Sequence, residues 1–141
     1  MHQITDRLFV GNIEDARQPT SRVSAVLLVA EEYEIDAPAG VAYARIPFKE
    51  FGEAHSLTLA SAVHWVEQYV TNNRVMVCCR AGMGRSVSVV MAYLCCVEGM
   101  AYADVLRFVM ARRPGATPVP KLEETIQEVR RLRMSVHRRE R

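Results

Sequence analysis

Short, continuously apolar runs alternate along this chain with longer stretches whose apolar positions recur every three or four residues. Leu8-Phe9-Val10 is one such run, closed by Gly11-Asn12. Residues 25–30 (AVLLVA) carry no polar side chain, as expected of a central parallel strand covered on both faces. Residues 41–46 predict a third strand, entered through Pro38-Ala39-Gly40 and ended by Pro47. Residues 74–78 predict a fourth, buried strand. Between them, residues 14–18 suit one helical turn before Pro19. Residues 57–72 place Leu59, Val63, Val66 and Val70 on one stripe, with Ser56 as the cap. Residues 85–98 are apolar on almost every side, which predicts a buried helix stopped by Gly99. A further helix over 102–112 is closed by Pro114-Gly115, and a last one from Lys121 onward presents Leu122, Ile126, Val129 and Leu132. Strands alternating with helices predict an α/β fold: a mostly parallel central sheet of about four to five strands flanked by helices, as a single domain over residues 1–141.

Bulk composition narrows the function classes. The net charge of +2 offers no global attraction to nucleic acid or to a charged membrane surface. The longest apolar stretch, residues 87–97, falls short of the ~20 residues that span a bilayer, and the first residues lack the basic-then-apolar pattern of a secretory leader. The four cysteines come as two adjacent pairs, Cys78/Cys79 and Cys95/Cys96. Neighbouring cysteines suit neither a disulfide framework nor zinc, so free thiols in a reducing, cytoplasmic compartment are expected. No cofactor and no metal are expected either, since an arginine and backbone amides can supply the positive field, and the chain is expected to be a monomer. The tail carries Arg130, Arg131, Arg133, Arg138, Arg139 and Arg141, which read as a solvated basic helix end complementing its dipole.

The candidate chemistry lies in Cys79-Arg80-Ala81-Gly82-Met83-Gly84-Arg85-Ser86, between the fourth predicted strand and the buried helix. A loop joining a strand end to a helix N-terminus turns its free N–H groups into one hollow, which suits a phosphate-like dianion. Cys79 at the rim is the candidate nucleophile, and the helix end, the amides and Arg85 should lower its pKa. Arg85 can fork two charge-assisted hydrogen bonds onto the anion. Gly82 and Gly84 let the amides of residues 80–84 (Arg80, Ala81, Gly82, Met83, Gly84) approach a bound phosphoryl group. Ser86 can donate to the sulfur when it leaves as thiolate.

These residues resemble the Cys-x5-Arg-Ser/Thr loop of the cysteine-dependent protein phosphatases, most closely the small dual-specificity type. Ile4-Thr5-Asp6-Arg7-Leu8-Phe9-Val10-Gly11 resembles that family's opening strand and turn, and Ala111-Arg112-Arg113-Pro114 its helix ending after the loop. The resemblance implies hydrolysis of phosphate monoesters through a phosphocysteine on Cys79. It also implies phosphorylated proteins as substrates, with phosphotyrosine and phosphoserine/threonine both accepted. Two positions depart from the pattern. The family usually has histidine before the nucleophile, where this chain has Cys78. It usually has an aspartate general acid about thirty residues upstream. Here Ile46-Pro47-Phe48-Lys49-Glu50-Phe51-Gly52 resembles that segment and puts Glu50 in its place.

Other residues have plainer readings beside the functional one. Glu53 reads as solvated, Asp36 is a weak third acid candidate, and His64 reads as a helix surface residue. His55 lies near the acid segment. Arg80 either reads a second negative charge on the substrate or points to solvent. Met83, Tyr33 and Phe48 either wall the entrance or pack in the core. Two alternatives to protein phosphatase stay open: a phosphoinositide or other small phosphate ester as substrate, invited by Arg80, and a phosphate-binding module of low turnover, invited by the two departures.

Overall fold

The computed structural model describes residues 1–140, with side chains described as far as residue 136. The chain opens with a hairpin, β1 (His2–Thr5) and β2 (Leu8–Gly11), followed by the short α1 (Ile13–Arg17). Then come β3 (Ala25–Ala30), β4 (Ala42–Phe48), α2 (Ser56–Val70) and β5 (Val75–Cys78). Three helices end the chain: α3 (Arg85–Cys96), α4 (Tyr102–Arg112) and α5 (Leu122–Glu140). The five strands form one sheet in the order β1-β2-β5-β3-β4. Only β1 runs antiparallel to its neighbour.

The apolar runs explain this order. β3 and β5 are fully buried along their length, as strands flanked on both sides must be. β4 is only partly buried and lies at the edge. That position corrects the expected end of this strand. Pro47 lies inside it, because an edge strand can lose one donor without breaking a ladder. The register slip between Leu28 and Ala30 marks the irregularity. The cap of α2 is also corrected: His55, rather than Ser56, accepts from the Leu57 amide through Nδ1 at 3.3 Å.

α3 is the centre of the molecule. Every residue from Arg85 to Cys95 is buried, and the helix touches α2, α4, α5 and strands β2, β3 and β5. The apolar faces of α2 (Leu59, Ala62, Val63, Val66) and α5 (Leu122, Ile126, Val129) close the core. The basic end of the chain is less free than its composition implies. Arg133 pairs with Glu67 at 2.9 Å, Arg131 with Glu128 at 2.6 Å, and Arg130 donates to the Cys95 and Met100 carbonyls at 3.4 Å. The side chains of Arg138 and Arg139, and Arg141 altogether, lie outside the described residues. Among the described residues no helix is long and apolar enough to cross a membrane.

Candidate active site

β5 delivers the chain to the loop at its C-terminal end, between β2 and β3, where open α/β sheets hold ligands. The loop's conformation follows from where its carbonyls go. The Arg80 carbonyl accepts from the Ile13 amide at 3.2 Å. The Ala81 and Gly82 carbonyls accept from the Arg113 guanidinium at 3.2 and 3.0 Å. The Met83 carbonyl accepts from the Thr117 amide at 2.7 Å. The Gly84 carbonyl accepts from the Ser88 amide at 2.9 Å and the Ser88 hydroxyl at 2.8 Å. Five consecutive carbonyls are thus tied to surrounding structure. The amides of residues 81–86, by contrast, donate to no other described residue. Successive free amides in such a turn make an anion-binding nest.

Gly82 is obligatory in this turn. Its φ is +71°, and a Cβ there would lie 2.6 Å from both Arg113 Nη2 and the Gly11 carbonyl. Gly84 is not obligatory in the same sense, since its φ of −115° is open to any residue.

Cys79 is buried, with Sγ 3.2 Å from the Ser86 hydroxyl, the contact expected of a donor that supports a thiolate. Its neighbour is a different kind of thiol. Burial, helped by the nearby Asp15 and Cys79 charges, pushes the Cys78 thiol well above its ordinary value, so it stays neutral. Burial raises Cys95 to about 11 and Cys96 in the same direction. All four cysteines are free thiols.

Arg85 is buried, and its fork is already occupied on one side. Nη1 donates to Glu32 Oε1 at 2.6 Å and to the Phe48 carbonyl at 3.1 Å, while Nη2 donates to Glu32 Oε2 at 2.8 Å. Glu32, in the segment after β3, was not singled out by sequence reasoning. Its signal was faint: a carboxylate just past the C-terminal end of a central strand, on the same sheet end as the loop.

Glu50 lies at the loop, ion-paired to Arg80 at 2.7 Å. Arg80 is exposed, in line with its solvent-facing reading, and Glu50 is its partner there. Glu53 pairs with Lys121 at 3.5 Å. His64 and Asp36 are exposed, and Phe48 belongs to the core. A groove of about 740 Å³ opens beside Arg85, between the 47–58 segment and α5, lined among others by Lys49, His55, Lys121 and Glu124.

Arg113 is the other residue whose role sequence reasoning missed, although the Arg-Pro ending of α4 was recognised. It is buried, braces two loop carbonyls and contacts the His2 ring at Nδ1. Burial and the Arg113 charge keep the His2 imidazole below its ordinary value, so the neutral ring can accept. Among the described residues no group of carboxylates, histidines and cysteines is arranged to hold a metal.

The chain is similar to known proteins in sequence and in fold. The model of the dual specificity phosphatase catalytic domain matches residues 8–131. The chain belongs to this family. It is 26% identical over 134 residues to dual specificity protein phosphatase 15 of Mus musculus, covering 91% of this chain and 57% of that protein. It is 28% identical over 135 residues to dual specificity protein phosphatase 22 of Homo sapiens, covering 91% and 72%. The chain therefore spans little more than half the length of the first of these relatives. The crystal structure of DUSP15 superposes with a TM-score of 0.82 at 23% identity, covering 97% of this chain and 94% of that one, a likeness of fold.

Proposed function

We propose that this dual specificity phosphatase domain hydrolyses phosphate monoesters of tyrosine and of serine/threonine in proteins, through a phosphocysteine on Cys79. The observation that carries the reading is the loop at residues 79–86, whose carbonyls are tied back while its amides remain free beside Cys79, Arg85 and Ser86. The Cys79 thiolate attacks phosphorus. An S–P bond forms, the ester P–O bond breaks, and the leaving oxygen takes a proton from Glu50. Water then attacks the phosphocysteine and gives its proton to the Glu50 carboxylate. The S–P bond breaks, releasing inorganic phosphate and a thiolate that Ser86 stabilises by donating its hydroxyl. Arg85 and the amides hold the three equatorial oxygens, where charge spreads in the transition state.

Glu50 must exchange its partner in this scheme. Arg80 holds the Glu50 carboxylate at 2.7 Å, so Glu50 has to turn from that partner to reach the leaving oxygen. The low-turnover reading keeps one supporting observation, the Glu50–Arg80 pair itself.

Turnover of p-nitrophenyl phosphate and of phosphotyrosine and phosphothreonine peptides, by wild type and Cys79→Ser, tests the proposal. Release from all three substrates, lost in the serine variant, is expected. Activity that survives Cys79→Ser refutes the mechanism. Hydrolysis of the aryl ester with neither peptide turned over points to another substrate class.

A further inference from the structure

We propose that Glu32 is a positioning residue that fixes the orientation of Arg85, and that the reaction depends on it through Arg85 alone. The inference rests on the phosphatase reading above and adds a residue to it. A guanidinium offers five N–H donors in a rigid plane. Glu32 takes one from each Nη in an end-on, two-point pair, at 2.6 and 2.8 Å, and the Phe48 carbonyl takes the second from Nη1 at 3.1 Å. Two donors remain, Nε–H and the second Nη2–H. They share one edge of the fork and are spaced for two oxygens of a single phosphoryl group. The carboxylate therefore selects which edge of Arg85 the loop sees.

Glu32 is itself held. Arg45 on β4 donates from Nε to the Tyr33 carbonyl and from Nη2 to the Glu31 carbonyl, both at 2.7 Å, and so pins the backbone on either side of Glu32. The Glu31 amide donates to the Phe48 carbonyl at 3.1 Å, the same oxygen that Arg85 uses. Glu32 keeps a side-chain exposure of 27% against 5% for Arg85, so the pair closes the outer side of a buried cation. The carboxylate also offsets the arginine's charge. Ground-state attraction for a dianion should survive its loss, while alignment in the transition state should not.

The test compares wild type with Glu32→Ala, Glu32→Gln and Glu32→Asp, and repeats Glu32→Ala in an Arg85→Lys background. Turnover of p-nitrophenyl phosphate, binding of orthovanadate as a five-coordinate mimic, and binding of inorganic phosphate are read for each. Misalignment of a charged clamp predicts that Glu32→Ala lowers kcat about 10- to 100-fold while KM moves less than about threefold. Vanadate affinity should fall with kcat and phosphate affinity should hold, since only the mimic samples transition-state geometry. Gln and Asp should recover part of the loss, and in Arg85→Lys the alanine change should add less than about twofold.

Glu32→Ala with kcat and vanadate affinity within about twofold of wild type overturns the proposal, as does an equal loss in both Arg85 backgrounds. Should Glu32→Ala fail to fold, the isosteric Glu32→Gln decides the same question at smaller amplitude. If wild type shows no Cys79-dependent turnover, the phosphatase reading fails by itself. The vanadate and phosphate arms then still decide whether Glu32 orients Arg85.

Discussion

Two adjacent cysteines pose the sharpest question at the scale of single residues. Cys78 ends β5, buried and kept neutral, whereas Cys79 touches the Ser86 hydroxyl at the start of the loop. Alkylation at neutral pH should therefore label Cys79, and Cys78→Ser should leave turnover largely intact. Rapid labelling of Cys78, or loss of activity in Cys78→Ser, contradicts the assignment. Glu32 gives a pH prediction. The Arg85 hydrogen bonds hold its carboxyl below the ordinary 4.5, with burial opposing. A depressed carboxylate stabilises its ion pair above the ordinary value and loses it only as pH falls through the lowered one. An acid-side inflection in rate above 4.5 thus belongs to another group and should persist in Glu32→Gln on a lower plateau. Its disappearance in that variant would contradict the sign. Glu50 has a leaving-group signature in the first step: Glu50→Gln should sharply slow phosphocysteine formation from an alkyl or tyrosyl phosphate, yet barely affect the initial burst of p-nitrophenol from p-nitrophenyl phosphate. Equal slowing of both would give Glu50 a structural role. Glu53, the neighbouring candidate, forms an exposed pair with Lys121 at 3.5 Å, and Glu53→Gln should show no such leaving-group dependence.

The loop works as an element because its neighbours hold its carbonyls. Gly82→Ala forces a side chain into left-handed backbone and against Arg113 and Gly11, so it should cost roughly 1–3 kcal/mol from backbone strain alone and collapse turnover. Gly84→Ala keeps an ordinary φ and meets only the Thr117 carbonyl at 3.3 Å, so its melting temperature should fall far less. Comparable losses in the two variants would contradict the account. Much of this element was legible beforehand. Strand, glycine-bearing turn and apolar helix follow in order, and their physics requires a nest. The braces were not legible. Arg113 lies 31 positions from Gly82 and Glu32 53 from Arg85, and no local pattern signals such partners. Edge effects were hidden for the same reason. Pro47 reads as a strand end until β4 is known to have only one neighbour.

Across the whole molecule, a buried helix and a central strand converge on one point. β5 is paired on both sides and α3 is enclosed by the helices and strands around it, so the loop between them is anchored at both ends. The apolar runs made β3, β5 and α3 readable as core. The pairing order was not readable, because a parallel sheet's neighbours are set by contacts distant in sequence. The antiparallel β1 was seen only as part of an opening strand and turn. Its His2 contact with Arg113 joins the first strand to the loop that carries Cys79. Destabilising that hairpin should therefore reach the site, and His2→Ala should lower kcat more than it raises KM for p-nitrophenyl phosphate. An unchanged kcat would show that the first strand is only a cover.

The central claim is a covalent phosphoryl transfer to Cys79. Acid quenching during turnover, followed by peptide mass analysis, tests it most directly, with Glu50→Gln used to slow the second step. The account predicts one added phosphoryl group on the peptide bearing Cys78 and Cys79, retained in Cys78→Ser and absent in Cys79→Ser. Turnover without that adduct, or an adduct that survives Cys79→Ser, would contradict it.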